Sequence, residues 1–516
     1  MESSSSLLFS SPFAFLSTTL FTIGVLKFVV ALYHVYTHWS KRSVPYIQAI
    51  PNLGLPWQLL FRRLSTADYM KYIYNYDSDA KYIGMMDMAT PLVVLRDPEL
   101  IKDVMVKDFE YFTDHAPFLS EELDPLFGKT ILSLRGDRWK EMRTTLSPSF
   151  TASKMKVMFE LVSRCSHEFT EYLADHPELW PSIDTDDALR RHATDVIATS
   201  AFGISVNSMK ERNNEFFMRG MEVIDFSSFV AVSKMMLFRA TPRIMKALGL
   251  TFFSSATSKF FKRIVAETIK IREDQGIVRP DMIHLLMQAR EKEGRSVHDM
   301  TLDDIVSQVF IFFFAGFDTA STLMCFLVHE LAVHRDIQDR LYEEIEHFAE
   351  RNGEISYESM SKMTYLDMVV SEALRKYPPA PLNDRICVKS YKLPPSKPGC
   401  KSVIIEPNSL IWLPVYALHH DPNYYPNPSK FDPERFSDKN KDNIVPYTYM
   451  PFGLGPRMCI GNRFALMEVK ILVIHLLHKF IFKASEKTVE PMVFDKSLFA
   501  LKPDGGFWIS LEKREK

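Results

Sequence analysis

One short loop near the C-terminus carries the residues best suited to chemistry. The stretch from Pro451 to Gly461 places Cys459 close to Arg457 and directly before a predicted helix from Asn462 to Lys470. Its glycines, at positions 453, 455 and 461, permit positive φ and a close backbone approach to a flat cofactor. Helix amides and a neighbouring cation both lower a thiol pKa, so we expect an ionised cysteine that can act as an axial thiolate.

The spacing within this loop is specific. The pattern Phe452-x-x-Gly455-x-Arg457-x-Cys459-x-Gly461 resembles the haem-binding signature of the cytochrome P-450 superfamily, and all five fixed positions match. In that family a cysteine thiolate ligates the haem iron and promotes O–O cleavage. The resemblance implies haem b as cofactor, Cys459 as its axial ligand and Arg457 as a propionate contact. The alternative is a loop cysteine before an ordinary helix.

A second candidate site lies in the apolar segment from Thr301 to Val333. Thr301-x-x-Asp304 is a capping-box pattern, and about 33 residues of helix would extend ~50 Å. Residues 309–314 are apolar on every face, which predicts a buried helix. A membrane span is the alternative, but Asp318 interrupts the segment and leaves no uncharged run of ~18 residues.

The centre of this helix carries Ala315-Gly316-Phe317-Asp318-Thr319. A glycine inside a helix costs ~1 kcal/mol, and Asp and Thr side chains compete for backbone hydrogen bonds, so the pattern predicts a local opening of the helix. The pattern resembles the family's oxygen-activation motif. That resemblance implies that the Thr319 hydroxyl hydrogen-bonds dioxygen and that Asp318 supplies protons through water.

A third constellation supports the fold. Glu372 and Arg375 face each other at i, i+3 on a predicted helix, a spacing that arises often by chance. With Arg435 in Phe431-Asp432-Pro433-Glu434-Arg435-Phe436, they resemble the ExxR motif and the arginine that completes its Glu-Arg-Arg network. We therefore predict a structural role near the haem for all three.

Haem propionates are anions that require cationic or N–H donors in a partly dry site. Trp139 and Arg143, at i, i+4, resemble the family's WxxxR propionate clamp. Arg385, in Asp384-Arg385-Ile386-Cys387, matches another propionate arginine of the microsomal members. For Trp139 alone the alternative is a core indole.

The composition excludes several protein classes. The 516 residues are 46% apolar with a net charge of −2, and a pI near 6.7 argues against a nucleic-acid binder. Five cysteines, an odd and scattered set without CxxC spacing, argue against a disulfide framework and a zinc site. They favour a reducing compartment.

The N-terminal residues are predicted to form a membrane anchor. Residues 7–26 carry no charge and give the ~20 residues that a membrane helix needs. Lys27 interrupts the pattern before a second apolar stretch at 28–36, which leaves the register of the span open. Lys41 and Arg42 follow, which places the rest of the chain in the cytosol. The alternatives are a cleaved signal peptide and a transit peptide. This segment lacks the basic residues at its start that a signal peptide would carry, and it lacks the arginines of a transit peptide.

Prolines 45, 51 and 56 then predict a stiff hinge, similar to that of microsomal members of the family. We divide the chain into an anchor at 1–40, a proline-rich hinge at 41–57 and a catalytic domain at 58–516. The predicted class is mainly α with small β-sheets, and the resemblance implies the cytochrome P-450 fold. The predicted helices are 152–173, 187–202, 256–273, 281–290 and 334–350, and extended patterns occupy 82–95, 386–405 and 506–511.

The resemblance also implies where substrate and partners bind. The predicted cavity linings are residues 117–127, 215–229, 310–317, 379–382 and 498–501, which are rich in Phe and Leu and suited to apolar molecules. A second interpretation of 229–238, with Lys234 and Arg239, is contact with the bilayer surface. Basic residues predicted to face an acidic flavoprotein reductase, or else to be ordinary solvated surface, are Lys129, Arg138, Lys140, Arg463 and Lys470.

The sequence as a whole is identified as a microsomal haem-thiolate monooxygenase of the insect detoxification branch, family nine. The resemblance implies electrons from NADPH through a reductase, with cytochrome b5 as a second donor, and oxygen insertion into a hydrophobic xenobiotic or endogenous lipid. It also implies location in the endoplasmic reticulum membrane. The alternatives are a haem-thiolate isomerase or dehydratase and a non-enzymatic haem- or lipid-binding protein.

Overall fold

The computed structural model describes residues 12–48, 61–226, 228–279, 281–291, 300–352, 355–496 and 501–515. The hinge residues 49–57, the anchor residues 7–11 and the cavity residues 498–500 that the sequence singled out lie outside these ranges. So does residue 227.

Helices make up most of the described chain. They are α1 (Pro12–Thr37), α2 (Thr66–Tyr74), α3 (Pro98–Lys102), α4 (Pro125–Gly128), α5 (Gly136–Leu146), α6 (Ala152–Asp175), α7 (Thr185–Ile197), α8 (Glu215–Ile224), α9 (Phe229–Ala240), α10 (Pro242–Ala247), α11 (Ser255–Gln275), α12 (Met282–Glu291), α13 (Leu302–Val333), α14 (Arg335–Asn352), α15 (Tyr357–Met360), α16 (Thr364–Lys376), α17 (Val415–His419) and α18 (Asn462–Lys479).

The strands form three small sheets. They are β1 (Tyr82–Asp87), β2 (Thr90–Leu95), β3 (Ile183–Asp184), β4 (Asn383–Ile386), β5 (Tyr391–Leu393), β6 (Val403–Ile405), β7 (Leu410–Leu413), β8 (Phe480–Ala484) and β9 (Trp508–Lys513). The largest sheet has the order β1-β2-β7-β4, in which β2 and β7 are parallel and the other pairs antiparallel. The others are β3-β9-β8 and β5-β6.

Helix α13 runs through the centre of the body and packs most extensively on α7. Its N-terminus is closed by the predicted capping box, in which Thr301 and Asp304 each accept the other's backbone N–H. The five predicted helices are confirmed to within a few residues at their ends. Each predicted extended region contains strand, but 386–405 holds only β5, β6 and the last residue of β4, and β3, β7 and β8 lie outside the three regions, so the expected confinement of strands to them is wrong. The mainly α class with small sheets is confirmed as well.

Two described helices are long and apolar enough to cross a membrane. Residues Phe15–Thr37 of α1 have a mean hydropathy of 2.0 and no buried share, as an anchor would. Helix α13 has a mean hydropathy of 1.8 but is 67% buried in the body, which identifies it as the core helix that its sequence predicted.

The segment after α1 is docked on the sheet. Trp39 is 1% exposed, and its Nε1 donates to the Met85 carbonyl at 2.6 Å. Its ring lies so close to Gly84 that an added Cβ there would be 2.4 Å from Trp39 Cδ2. Pro45 O accepts from Gly84 N at 2.8 Å, and Ile47 N donates to Gly84 O at 2.9 Å.

These contacts add a short parallel pairing to the free edge of β1. An edge strand presents unpaired backbone groups that a further segment can satisfy. The boundaries at 40 and 57 stay predictions, but the described part of the predicted hinge is packed against the body, so it does not decouple α1 from the sheet.

We expect Trp39→Ala in the detergent-solubilised chain to lower the free energy of unfolding by about 3 kcal/mol, the usual loss for a deleted buried indole. Chemical denaturation measures it. Tyr36→Ala is the matched control because Tyr36 is 44% exposed on α1. Equal stability of the two variants would contradict the docked arrangement.

Candidate active site

The cysteine loop is built from tight turns that only some residues can adopt. Gly453 and Gly455 have φ of +73° and +70°, and a Cβ on Gly455 would lie 1.9 Å from the Met105 carbonyl oxygen. Cys459 N donates to Phe452 O at 2.9 Å, which closes the loop. The expected positive φ of Gly461 is wrong, because Gly461 caps α18 with φ −94°.

The electrostatics of Cys459 differ from the sequence-based expectation. Burial raises the pKa of its thiol, while a hydrogen bond from the Gly461 backbone and the charge of Arg143 lower it less. The prediction that the helix amides and Arg457 together lower the pKa of this thiol is therefore wrong: the Gly461 amide does lower the pKa, but the contributing cation is Arg143 and burial outweighs both. Cys459 is nonetheless solvent-accessible. The thiol is therefore largely surrounded by protein but can still be reached from outside.

Helix α13 stays continuous through the Ala315–Thr319 pattern, so the predicted local opening is not found. The Thr319 hydroxyl donates to Ala315 O at 2.7 Å, within the same helix. Gly316 permits close packing, because an added Cβ would lie 2.7 Å from Ile197. Ala315 and Thr319, one turn apart, are exposed on a helix that is otherwise mostly buried.

Asp318 is held from outside the helix. Its carboxylate accepts from Arg190 Nη1 at 2.8 Å, and Arg190, which is 1% exposed, also pairs with Asp186 at 2.7 Å. Burial lowers the pKa of Arg190, but Asp186 and Asp318 more than offset that effect and raise it. The sequence analysis missed Arg190, although its i, i+4 spacing from Asp186 on α7 was visible.

Arg457 ties the loop to distant segments. Its Nε donates to Thr113 O at 2.7 Å, and its Nη2 contacts Asp114 Oδ1 at 3.2 Å. Its guanidinium lies 4.1 Å from the centroid of the Trp139 ring. Burial lowers the pKa of Arg457 to about 10 despite Asp114. The structure thus brings Arg457 and the predicted clamp residue Trp139 together.

Arg143 lies one turn after Trp139 on α5 and is partly buried. Burial lowers its pKa, and the nearby Cys459 counteracts that effect. Arg143 is therefore the cation whose charge reaches the thiol.

The predicted Glu-Arg-Arg network is present. Arg375 Nε and Nη2 donate to the two Glu372 oxygens at 2.7 Å each, and both side chains are fully buried. Arg435 Nε reaches Glu372 Oε1 at 3.4 Å. Arg375 also donates to the carbonyls of His419 and Pro428, so the network joins α16 to the segment that leads to the cysteine loop.

Arg385 carries buried donors that have no partner in the part of the chain that the structure describes. Its Nη1 donates to Asn383 Oδ1 and to Asp384 O, at 2.9 and 2.6 Å. Its Nε and Nη2 are buried and have no hydrogen-bond acceptor among the described residues. Burial lowers its pKa to about 10. A buried guanidinium with free N–H groups is suited to hold an anion.

The chain is similar to known proteins over nearly its whole length. The cytochrome P-450 family model matches residues 50–509. The chain belongs to the cytochrome P-450 family. It is 48% identical to cytochrome P-450 9e2 of Blattella germanica over 96% of this chain and 97% of that protein. It is 40% identical to probable cytochrome P-450 9f2 of Drosophila melanogaster, over 92% and 95%.

Membership confirms the predicted resemblance to the insect family-nine branch and makes the protein a haem monooxygenase. The family's cofactor is a haem with a cysteine-thiolate axial ligand. The residues present fit that group, because an accessible thiol lies at Cys459 and Arg385 keeps two buried donors free for an anionic propionate.

Five phenylalanines of the P-450 body pack on one another in a group that we call the phenylalanine wall, and all but Phe252 come from segments that the sequence predicted to line the substrate cavity. Phe226 stacks on Phe252 with ring centroids 6.0 Å apart, and Phe314 of α13 meets Phe226 and Phe127 edge-on. Phe118 joins the same group. Aromatic side chains can contact apolar molecules with few directional hydrogen bonds, so the predicted lining role of this group stays a prediction.

The predicted reductase-facing residues of the P-450 are partly neutralised within the chain. Lys129, only 17% exposed, pairs with Asp304 at 3.2 Å, and Lys470, 13% exposed, pairs with Asp367. The expected exposure of these two lysines is therefore wrong. Arg138 pairs with Glu121 and Lys140 with Asp137, whereas Arg463 is exposed.

We expect Arg385→Met to accelerate haem loss by roughly 10- to 100-fold, because a hydrogen bond to a charged group contributes about 1.5–3 kcal/mol. Haem transfer to an apo-globin acceptor measures it. In the haem-free chain the same substitution should cost little stability, since the loss of the two Nη1 hydrogen bonds is offset by removal of a buried charge whose Nε and Nη2 have no acceptor among the described residues. Arg463→Met is the exposed control, and equal rates for both variants would argue against a propionate contact.

We expect Glu372→Gln to destabilise the fold by about 3–5 kcal/mol, because Arg375 would remain fully buried without a counter-charge. Urea unfolding of the haem-loaded chain measures the change. Glu178→Gln, at an exposed site, should change stability by less than about 0.5 kcal/mol. A loss below about 1 kcal/mol at Glu372 would mean that the network does not stabilise the fold.

Proposed function

We propose that the protein inserts one oxygen atom from O2 into hydrophobic small molecules, with Cys459 as the axial haem ligand and Asp318 and Thr319 as the catalytic pair. Electrons come from NADPH through a flavoprotein reductase. The observation that carries this proposal is that Thr319 is exposed near the centre of a mostly buried helix, in a chain whose Cys459 is also accessible.

The haem, when bound, supplies the redox chemistry that cleaves dioxygen. Trp139, Arg143, Arg385 and Arg457 would hold its propionates, since they supply cationic or N–H groups at partly or fully buried positions. The three guanidinium charges and the Trp139 indole N–H would fix the propionate side of the haem.

Thr319 and Asp318 have different tasks. The Thr319 hydroxyl, anchored on Ala315 O, is placed to donate a hydrogen bond on the open face. Asp318, 44% exposed on its side chain and held by Arg190, can exchange protons with water. Such a relay supplies the two protons that dioxygen cleavage requires.

The phenylalanine wall favours apolar substrates. Phe118, Phe127, Phe226 and Phe314 present rings but no ionisable groups, so we infer selection by size and hydrophobicity, as for xenobiotics or endogenous lipids.

Electron donors and membrane contacts follow from the exposed surface. We infer that a reductase docks near Arg463 beside the cysteine loop and that cytochrome b5 uses the same face. Val230 and Leu237 of α9, Ile244 of α10 and Leu248 directly after α10 are exposed apolar residues suited to lipid. Lys234 and Arg239 contact Phe252 and Asp87 instead, so these two cations are engaged by the protein.

We infer that α1 anchors the protein in the endoplasmic reticulum membrane with the catalytic body on the cytosolic side. The cations Lys41 and Arg42 directly after the helix favour that orientation. The anchor and the apolar residues of α9 and α10 would together hold the body at the bilayer surface.

A haem-thiolate isomerase or dehydratase is the competing reaction class. Such an enzyme needs neither a reductase nor the acid and hydroxyl pair. The intact Asp318 and Thr319, with Asp318 held by Arg190, favour the monooxygenase.

We expect Thr319→Ala to bind haem and consume NADPH but to divert most of the flux to hydrogen peroxide. The missing hydroxyl no longer guides protons to the oxygen atom that must leave as water, so product per NADPH should fall roughly tenfold. NADPH, O2, peroxide and product are measured together on one accepted substrate. Asp318→Asn should slow turnover.

Ser321→Ala is the matched control, because Ser321 lies two residues further on, is buried and bonds the Phe317 carbonyl in the same way. It should keep normal coupling. Product formed equally well without NADPH would contradict the monooxygenase proposal. Unchanged coupling in Thr319→Ala would remove only Thr319 from its assigned role.

A further inference from the structure

Gln308 is a buried amide in a stretch of α13 that is otherwise almost wholly apolar. Its side chain is 0% exposed. An amide in such a place is costly unless its polar groups are hydrogen-bonded. Its Oε1 accepts from Ile131 N at 2.9 Å, and its Nε2 donates to Lys129 O at 2.7 Å. Both partners are backbone groups of one segment, residues 129–134, which we call the 129–134 turn.

The same turn is held from its other side by the cysteine loop. Arg457 Nη1 donates to Ile131 O at 3.3 Å, and Arg457 Nη2 donates to Leu134 O at 2.8 Å. Ile131 is therefore bound at its N–H by α13 and at its C=O by an arginine two residues before Cys459. One residue of the turn connects the two elements that would enclose the haem.

Two further contacts stabilise this connection. Thr130 Oγ1 donates to Phe127 O at 2.7 Å and closes the start of the turn, and the Lys129–Asp304 pair adds a second link to α13. Gln308 and Thr319 are eleven residues apart on one continuous helix, which corresponds to ~16 Å along a rigid rod. A displacement at Gln308 would therefore move Thr319 relative to Cys459.

We propose that Gln308 is a positioning residue that sets the spacing between α13 and the cysteine loop through the 129–134 turn. The role goes beyond the proposed function, and it rests on the assignment of Cys459 and Thr319 made there. Gln308 touches neither of them. It acts by fixing Ile131, which Arg457 in turn uses as one of its acceptors.

The test compares two neighbouring buried residues in the haem-loaded chain. Gln308→Met keeps the side-chain length but removes both hydrogen bonds. Ser307→Ala is the matched control, since Ser307 is 1% exposed and donates to Pro125 O at 3.2 Å and Asp303 O at 2.9 Å, outside the turn. Gln308→Glu keeps the acceptor for Ile131 N–H and loses the donor to Lys129 O.

Three readouts are needed. Hydrogen exchange should accelerate at least roughly tenfold at Ile131 in Gln308→Met, and the acceleration should extend to residues 457–459. The fraction of the reduced carbon monoxide adduct with thiolate-type absorption should fall. Peroxide formed per NADPH should rise. Gln308→Glu should lie between wild type and Gln308→Met, and Ser307→Ala should match wild type.

Faster exchange confined to residues 129–134, with unchanged absorption and coupling, would overturn the proposal, because Gln308 would then hold only its own turn. If Gln308→Met does not accumulate, the same readouts on Gln308→Glu decide the question. A wild-type protein without thiolate-type absorption would contradict the proposed function instead, so the two failures are distinguishable.

Discussion

The buried guanidinium of Arg457 is the interaction on which the geometry of the site depends. It spans Thr113, Asp114 and the 129–134 turn, all more than 300 residues away along the chain. Burying this cation requires that its donors be satisfied. The position of the cysteine loop therefore depends on acceptors that belong to the surrounding body.

Three other buried arginines also need acceptors for their N–H groups, and they differ in how far the protein supplies them. Arg375 is saturated by Glu372 and by backbone carbonyls, which makes it a structural element. Arg190 is shared between Asp186 and Asp318 and holds a carboxylate at the open face of α13. Arg385 alone keeps two buried donors without an acceptor among the described residues, which is the arrangement that an anionic group would complete.

The sequence predicted those features that depend on residues close together in the chain. Helix α13, its capping box and the Glu372–Arg375 pair depend on residues close in the chain, and all three were found. Strands β3, β7 and β8 were missed. Strand β3 is two residues long and pairs only with β9, while β7 and β8 are short strands that pair with segments distant in the chain. Other contacts join segments that are distant in the chain, and no local sequence pattern predicts them. They are the hydrogen bonds of Arg457, the pairing of Asp318 with Arg190 and the packing of Trp39 on Gly84. The thiol pKa was misjudged because burial, a tertiary property, outweighs the local amides and cations.

The central claim is that Cys459 ligates the haem iron, and the reduced carbon monoxide adduct tests it most directly. The wild-type chain and Cys400→Ala, a control at another free cysteine, should both show the strongly red-shifted Soret band that thiolate ligation produces. Cys459→Ala should lose that band. Retention of the band in Cys459→Ala would show that a different residue ligates the iron and would contradict the account.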